Sequence, residues 1–227
     1  MDILKPSAGS FLFMGEPPSA AMRRRVGTLL ETPNFYHYLS AERNLRIAAE
    51  IKGKGFEQIP SVLQKVNLYH RKDSKFSTYS LGMKQRLAIA SCLLGDPDVL
   101  VFDEPTNGLD IISKSQFRKI LAQALDEERC VIISTHQVKD LENLIDRIII
   151  IDEGKILFDE DIETITRKLS FRYSYGDAEL ATALYSESLL KGNLIVAPNE
   201  GDDESNLDLE LLYKAIVISG DKITKLF

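Results

Sequence analysis

The stretch that decides the fold is residues 99–110, which read VLVFDEPTNGLD. Its apolar run ends abruptly in two adjacent carboxylates, Asp103 and Glu104. Such a run is typical of a strand buried on both faces of a parallel sheet. Because open α/β sheets bind ligands outside the carboxyl ends of their strands, we expect both acids to face a site. An acidic turn before Pro105 is the alternative, and the pair alone does not decide between them.

Strands and helices alternate on both sides of this stretch. The sequence predicts strands at 11–14, 26–30 and 131–134, and a hairpin of strands at 148–158. It predicts helices at 40–52, 60–66, 83–94, 117–125 and 138–145. This alternation predicts an α/β fold with a mostly parallel sheet flanked by helices. From residue 161 the pattern changes, and we expect 161–227 to form a small α+β appendage with a helix at 207–214 and a strand at 215–218.

Composition excludes several classes of function. The net charge of -6 gives no general attraction to nucleic acid, so we expect no nucleic-acid partner. Cys92 and Cys130 lie far apart in apolar runs and are expected to pack as small hydrophobes in a reducing compartment. No secretion signal is recognisable and no apolar run reaches the ~18 residues of a membrane span. These features predict a cytoplasmic protein with no direct membrane span.

Four further residues carry candidate chemistry. Ser80 and Gly82 stand at a helix start, where free N–H groups and the helix dipole suit a phosphate; a simple N-cap is the alternative. His136 follows the strand at 131–134 and could bond a phosphate oxygen or a water molecule, or be a packed histidine. Glu31 follows the strand at 26–30, where a surface acid is the alternative. In P-loop nucleotidases, acids placed like Asp103 and Glu104 hold Mg²⁺ and deprotonate the attacking water.

In order and spacing, these residues resemble the nucleotide-binding subunit of an ATP-binding cassette (ABC) transporter over about residues 1–165. Residues 79–83 match the signature motif, 99–104 the Walker B strand, 107–110 the D-loop and 134–136 the switch histidine, while Glu31 falls at the Q-loop position. Residues 31–36 and 79–86 further resemble the bacitracin- and lantibiotic-type branch of exporters.

The resemblance implies a P-loop NTPase-like domain over 1–160, with a helical signature subdomain at about 34–96. It implies an ATPase that uses ATP and Mg²⁺ to drive export of a drug, peptide or similar substrate through separate transmembrane permease subunits. These subunits would hold it peripherally at the inner face of the cell membrane. It also implies that two such subunits, identical or paired, associate head to tail. The implied roles are catalytic for Glu104 and His136; nucleotide-binding for Ser80, Gly82, Asp103, Asp110 and Glu31; and metal-binding for Asp103 and Glu31.

The sequence also departs from the family pattern. Tyr79, Leu81 and Met83 replace the usual signature letters, Glu31 stands where Gln is commoner, and Ile111 replaces a frequent Pro. The phosphate-cradling pattern G-x-x-x-x-G-K-[ST] does not occur in the 227 residues. We expect that the sequence is truncated at its N-terminus, before the strand and loop that carry this pattern. The alternative is a nucleotide-incompetent remnant, or a regulatory half that supplies only its signature motif to a complete subunit.

Overall fold

The structure is a computed structural model that describes residues 6–30, 34–126, 128–141, 144–199, 201 and 206–227. It contains two compact units, residues 1–136 and 137–227, and each is described by itself. None of the helices in the described ranges has the length and apolar character needed to span a membrane.

A three-stranded parallel sheet forms the centre of the first unit. Its strands are β1 (Val26–Leu29), β2 (Val99–Asp103) and β3 (Cys130–Ser134), in the order β1-β2-β3. Leu100 and Phe102 of the central strand are buried, which confirms the buried parallel strand predicted at the start of the 99–110 stretch. The register places Asp103 beside Ser134, so the two strands end together.

The helices of the first unit confirm most of the predicted helical segments. They are α1 (Ala20–Arg23), α2 (Ala41–Lys52), α3 (Ile59–Lys65), α4 (Leu81–Leu93) and α5 (Ile111–Asp126), with short 3₁₀ turns at Tyr69–Arg71 and Phe76–Thr78. Ser40 caps α2 as expected, because its Oγ accepts a hydrogen bond from the N–H of Arg43 at 3.3 Å. The strand predicted at 11–14 is wrong: Phe13 and Glu16 form an isolated bridge around a tight turn.

The C-terminal end of α4 is closed by a lysine from α2. Helix α4 is followed by Leu94 in an extended conformation and by Gly95 with φ of 79°. Burial lowers the pKa of Lys52, whose Nζ lies among the carbonyls at this end of the helix. Nζ donates to the carbonyl oxygens of Ser91 at 2.8 Å, Cys92 at 3.1 Å and Leu94 at 2.9 Å. The ammonium group therefore joins α2 to the end of α4.

The two cysteines differ in environment. Cys92 on α4 is buried as predicted, and burial raises the pKa of its thiol to about 12. Cys130 is exposed, which corrects the expectation that it packs as a small hydrophobe. The reason is its position at the start of β3, which pairs with β2 on one side among the described residues.

The second unit combines helices with antiparallel strands. Its strands are the hairpin β4 (Arg147–Asp152) and β5 (Lys155–Asp161), and a sheet of order β6-β8-β7 formed by β6 (Leu169–Ser174), β7 (Tyr185–Ser188) and β8 (Asn193–Pro198). Its helices are α6 (Ile162–Lys168), α7 (Asp177–Thr182) and α8 (Leu209–Ile223). Ile150 and Phe158 of the hairpin are buried in the same core as Leu212 and Ile216 of α8. The unit therefore begins before the sequence-based boundary at 160/161, because the hairpin contributes to its core.

Two sequence-based elements of this unit are wrong. Helix α8 continues through residues 215–218, where the sequence predicts a strand. Burial of Leu212, Ala215 and Ile216 at helical spacing explains the difference, because tertiary packing overrides local propensity. The helix predicted at 138–145 is present as a 3₁₀ turn at Val138–Asp140, and residues 142–143 lie outside the described ranges.

Candidate active site

The carboxylate of Glu104 is held by the segment that follows β3. The backbone N–H of His136 donates to Glu104 Oε1 at 3.1 Å, and the Nδ1 atom of His136 lies 2.8 Å from the same oxygen. The hydroxyl of Thr135 donates to Oε2 at 3.2 Å. Because β2 and β3 are parallel and in register, the residues that follow their carboxyl ends meet here. The structure thus brings together the two residues to which the resemblance assigns catalysis.

The backbone of Glu104 is in the left-handed region, with φ of 45°. A non-glycine residue there costs on the order of 1–3 kcal/mol and persists only where its surroundings fix it. The N–H of Glu104 donates to Ser134 O at 2.9 Å, and the Glu104 carbonyl accepts from the N–H of Asn107 at 3.2 Å. Hydrogen bonds therefore fix both the backbone and the carboxylate of Glu104, so the carboxylate keeps one orientation.

Asp103 is exposed at the last position of β2. A carboxylate suits Mg²⁺, which is commonly held by one or two carboxylates together with substrate phosphates and water. Within the described ranges, no group of three or more His, Cys, Asp or Glu side chains is placed to enclose a metal ion. Glu31, the second predicted metal residue, lies outside the described residues.

Ser80 is the N-cap of α4, since its Oγ accepts a hydrogen bond from the N–H of Met83 at 3.3 Å. This is the geometry of the N-cap alternative raised from the sequence. It leaves the phosphate interpretation open, because the remaining N–H groups of the first turn and the helix dipole are the features that attract an anion. Ser80 itself is exposed, so the start of α4 is accessible.

Gly82 and Asp110 are brought together through Ser113. A Cβ atom on Gly82 would lie 2.3 Å from Ser113 Oγ, so the side chain of Ser113 leaves no room for a side chain at position 82. Asp110 Oδ1 accepts from the N–H of Ser113 at 2.8 Å, and Oδ2 accepts from its hydroxyl at 3.2 Å. The backbone bond from Ser113 is the main cause that lowers the pKa of Asp110. Asp110 therefore caps α5 and fixes Ser113 against Gly82.

Sequence reasoning missed Thr135 and Ser113. Thr135 precedes His136 in the same turn, and a hydroxyl beside a histidine gives no separate signal. Ser113 follows Asp110 by the spacing of a helix cap, which was a usable signal. The candidate residues thus form two groups, one around the Glu104 carboxylate and one where α4 meets α5.

Comparison with known proteins identifies the family. The family model described as ABC transporter matches residues 1–107. The ABC transporter ATP-binding protein YhcH of Bacillus subtilis, described as uncharacterized, is 36% identical over 219 residues, which cover 92% of this chain and 72% of that protein. The chain belongs to the ATP-binding subunits of ABC transporters. This confirms the resemblance and favours an ATP-binding subunit over the remnant or half-site alternative.

Other members of the family refine the comparison. The bacitracin transport ATP-binding protein BcrA of Bacillus licheniformis is 40% identical, and the match covers 69% of this chain and 53% of BcrA. The lantibiotic transport ATP-binding protein SrtF of Streptococcus pyogenes is 35% identical, covering 71% of this chain and 70% of SrtF. The chain therefore spans about half of BcrA, 72% of YhcH and 70% of SrtF.

Solved structures confirm the fold class. A chain described as the ATP binding subunit of an ABC transporter superposes with a TM-score of 0.63 at 26% identity, covering 73% of this chain and 72% of that one. The structure of cbiO1 from Clostridium perfringens, part of the transporter complex cbiONQ, gives a TM-score of 0.63 at 27% identity, covering 72% and 70%. The predicted P-loop NTPase-like α/β fold is confirmed.

Proposed function

We propose that this ABC subunit hydrolyses ATP, with Glu104 as the general base. The observation that carries the proposal is the fixed Glu104 carboxylate, which His136 and Thr135 orient at the carboxyl end of β2. A positioned carboxylate can take a proton from a water molecule while the oxygen of that water attacks the terminal phosphorus of ATP. The bond between that phosphorus and the leaving ADP oxygen then breaks.

Asp103 and His136 support this step. Mg²⁺, when bound, neutralises charge on the phosphate oxygens, and we assign it to Asp103 with Glu31 as a second acid. The ring of His136 is 67% exposed although Nδ1 contacts Glu104, so Nε2 is accessible to a phosphate oxygen or the attacking water. Glu104, His136 and Asp103 form the side of the site that activates water. The pattern that cradles phosphates, G-x-x-x-x-G-K-[ST], is not among the 227 residues.

Two subunits, identical or paired, are proposed to enclose the nucleotide head to tail. The N-terminus of α4, with Ser80 and Gly82, would close on ATP held by the partner subunit, with Asp110 near the junction. Ile111 and Ile112 at the start of α5 support this arrangement, because they are 83% and 72% exposed, a high exposure for adjacent large apolar side chains. A second subunit would cover them.

The transported cargo is proposed by analogy. Relatives are named for bacitracin and lantibiotic transport. We propose that the subunit lies at the inner face of the cell membrane, bound to separate transmembrane permease subunits, and drives export of a peptide antibiotic or a similar compound. Co-expression of the full-length protein and its permease should then raise the bacitracin or lantibiotic concentration that sensitive cells tolerate.

The decisive experiment replaces the proposed base in the full-length protein. Glu104→Gln keeps size and removes the proton acceptor, so ATP hydrolysis should fall by about 10²- to 10⁴-fold while equilibrium binding of ATP is retained. Glu50→Gln, at an exposed position on α2, is the matched control and should hydrolyse ATP at the wild-type rate. An unchanged rate in Glu104→Gln would refute the role of Glu104.

A further inference from the structure

One buried polar side chain of α4 reaches the loop that follows Glu104. Gln85 is 4% exposed and lies on a helix whose buried residues are otherwise almost all apolar. Its Nε2 donates a buried hydrogen bond to the carbonyl oxygen of Pro105 at 3.1 Å. Proline has no N–H, so this carbonyl is the one polar backbone group that Pro105 can offer.

We propose that Gln85 is a positioning residue for Glu104. By holding the carbonyl of Pro105, it fixes the left-handed backbone of Glu104 and thereby the direction of the carboxylate. This inference rests on the proposed role of Glu104 as general base. The hydrogen bond of Gln85 goes to the backbone of Pro105, so Gln85 acts on the carboxylate through the loop.

The strained backbone of Glu104 explains why the hydrogen bond from Gln85 to Pro105 is needed. Glu104 has φ of 45° and precedes a proline, two conditions that restrict its conformation. On its N-terminal side, the N–H of Glu104 is held by Ser134 O. On its C-terminal side, Pro105 is held by Gln85. Without the amide donor, the buried Pro105 carbonyl would lose this partner, and the loop could relax towards an ordinary backbone conformation.

The same bond connects Glu104 to the other group of site residues. Helix α4 begins after Ser80, packs Gly82 against Ser113, and carries Gln85 on its next turn. The loop 105–110 is therefore tied to α4 at both ends: at Pro105 by Gln85, and at Asp110 through Ser113. A displacement of the α4 N-terminus, such as closure on a nucleotide would produce, is transmitted to the carboxylate through this connection.

The test uses Gln85→Met, which keeps the side-chain length and removes the donor. In the full-length protein, kcat for ATP hydrolysis should fall by about 10- to 100-fold, because a small misplacement of a catalytic group is costly. KM for ATP should stay within about 2-fold, since binding contacts are unchanged. Gln64→Met, on the exposed side of α3, is the matched control and should leave both constants unchanged.

Gln85→Glu provides a second readout, which also decides the matter if Gln85→Met does not fold. Its ionised carboxylate cannot donate to Pro105, whereas its protonated form can. The ratio of its kcat to that of the wild type should therefore rise as pH falls. A kcat within about 2-fold of wild type in folded Gln85→Met, or a pH-independent ratio in Gln85→Glu, would overturn the proposal. Glu104→Gln is measured in parallel. If the proposed role of Glu104 is wrong, Glu104→Gln will be fully active. If only the role of Gln85 is wrong, Glu104→Gln will be inactive while folded Gln85→Met keeps the wild-type kcat.

Discussion

Glu104 and His136 are joined twice, because both the backbone N–H and the Nδ1 atom of His136 contact the same carboxylate oxygen. The two residues are 32 positions apart in the chain and meet because β2 and β3 end side by side. The backbone bond is independent of the side chain at position 136. Replacing His136 therefore removes half of this connection and leaves the other half in place.

His136→Ala is expected to lower kcat for ATP hydrolysis by about 10²-fold in the full-length protein. The physical reason is loss of the Nδ1 contact and of the ring that we propose to reach the phosphate or water. Steady-state hydrolysis measures the effect, and thermal unfolding should show a folded protein because the ring is largely exposed. His70→Ala, at an exposed position in the turn Tyr69–Arg71, is the control, and equal activity of the two variants would contradict the assignment.

Gly82→Ala should destabilise the protein by about 1–3 kcal/mol, because the added methyl group would overlap Ser113 Oγ. Ser113→Gly removes the obstructing atoms and should relieve part of that cost. A double-mutant cycle by urea unfolding measures the coupling, which we expect to be about 1 kcal/mol or more. Simple additivity of the two substitutions would show that α4 and α5 do not meet at this contact.

Replacing Ile111 and Ile112 together by glutamate should prevent the proposed pairing of subunits. The two side chains are almost fully exposed, so the fold should tolerate the change, whereas a charged pair would oppose burial at an interface. Light scattering of full-length Glu104→Gln with and without ATP provides the measurement, because blocked hydrolysis should hold the pair together. Ile51→Glu, at an equally exposed position on α2, is the control. ATP-dependent pairing that survives the double substitution would argue against this surface.

Asp161→Asn should make the thermal stability of the protein less dependent on pH in acid. Asp161 caps α6: the N–H of Thr164 donates to it at 2.7 Å, and this bond is the main cause that lowers the pKa of Asp161. A folded pKa below the unfolded value of about 3.9 means that the ionised carboxylate stabilises the fold above that pH. The stabilisation is lost as pH falls through the folded pKa.

Asparagine caps a helix about as well as aspartate but does not titrate, so Tm of the wild type should fall more steeply than Tm of Asp161→Asn between about pH 5 and pH 2. Asp152→Asn, at an exposed position where β4 ends, should follow the wild type. Parallel curves for the wild type and Asp161→Asn would show that the cap does not contribute to acid stability.

Much of the first unit follows from local pattern. The run at 99–102 predicts a buried strand because four apolar residues have no solvent face, and Ser40 predicts the start of α2 because its hydroxyl can satisfy an orphan N–H. By contrast, the strand predicted at 215–218 fails because Ile216 packs in the core of the second unit from a helix. The connection of Gln85 to Pro105 joins positions 20 apart and depends on how α4 packs, which no local pattern records.

The lysine that closes α4 has a mechanical consequence for the whole helix. Lys52 donates hydrogen bonds to three carbonyl oxygens at the C-terminal end of α4. Near the N-terminal end, Gln85 bonds to Pro105 and Gly82 packs against Ser113. Contacts at both ends of α4 should limit its fraying and its sliding along its own axis. We therefore expect a displacement of α2 to move α4 and, through Gln85, the loop that follows Glu104.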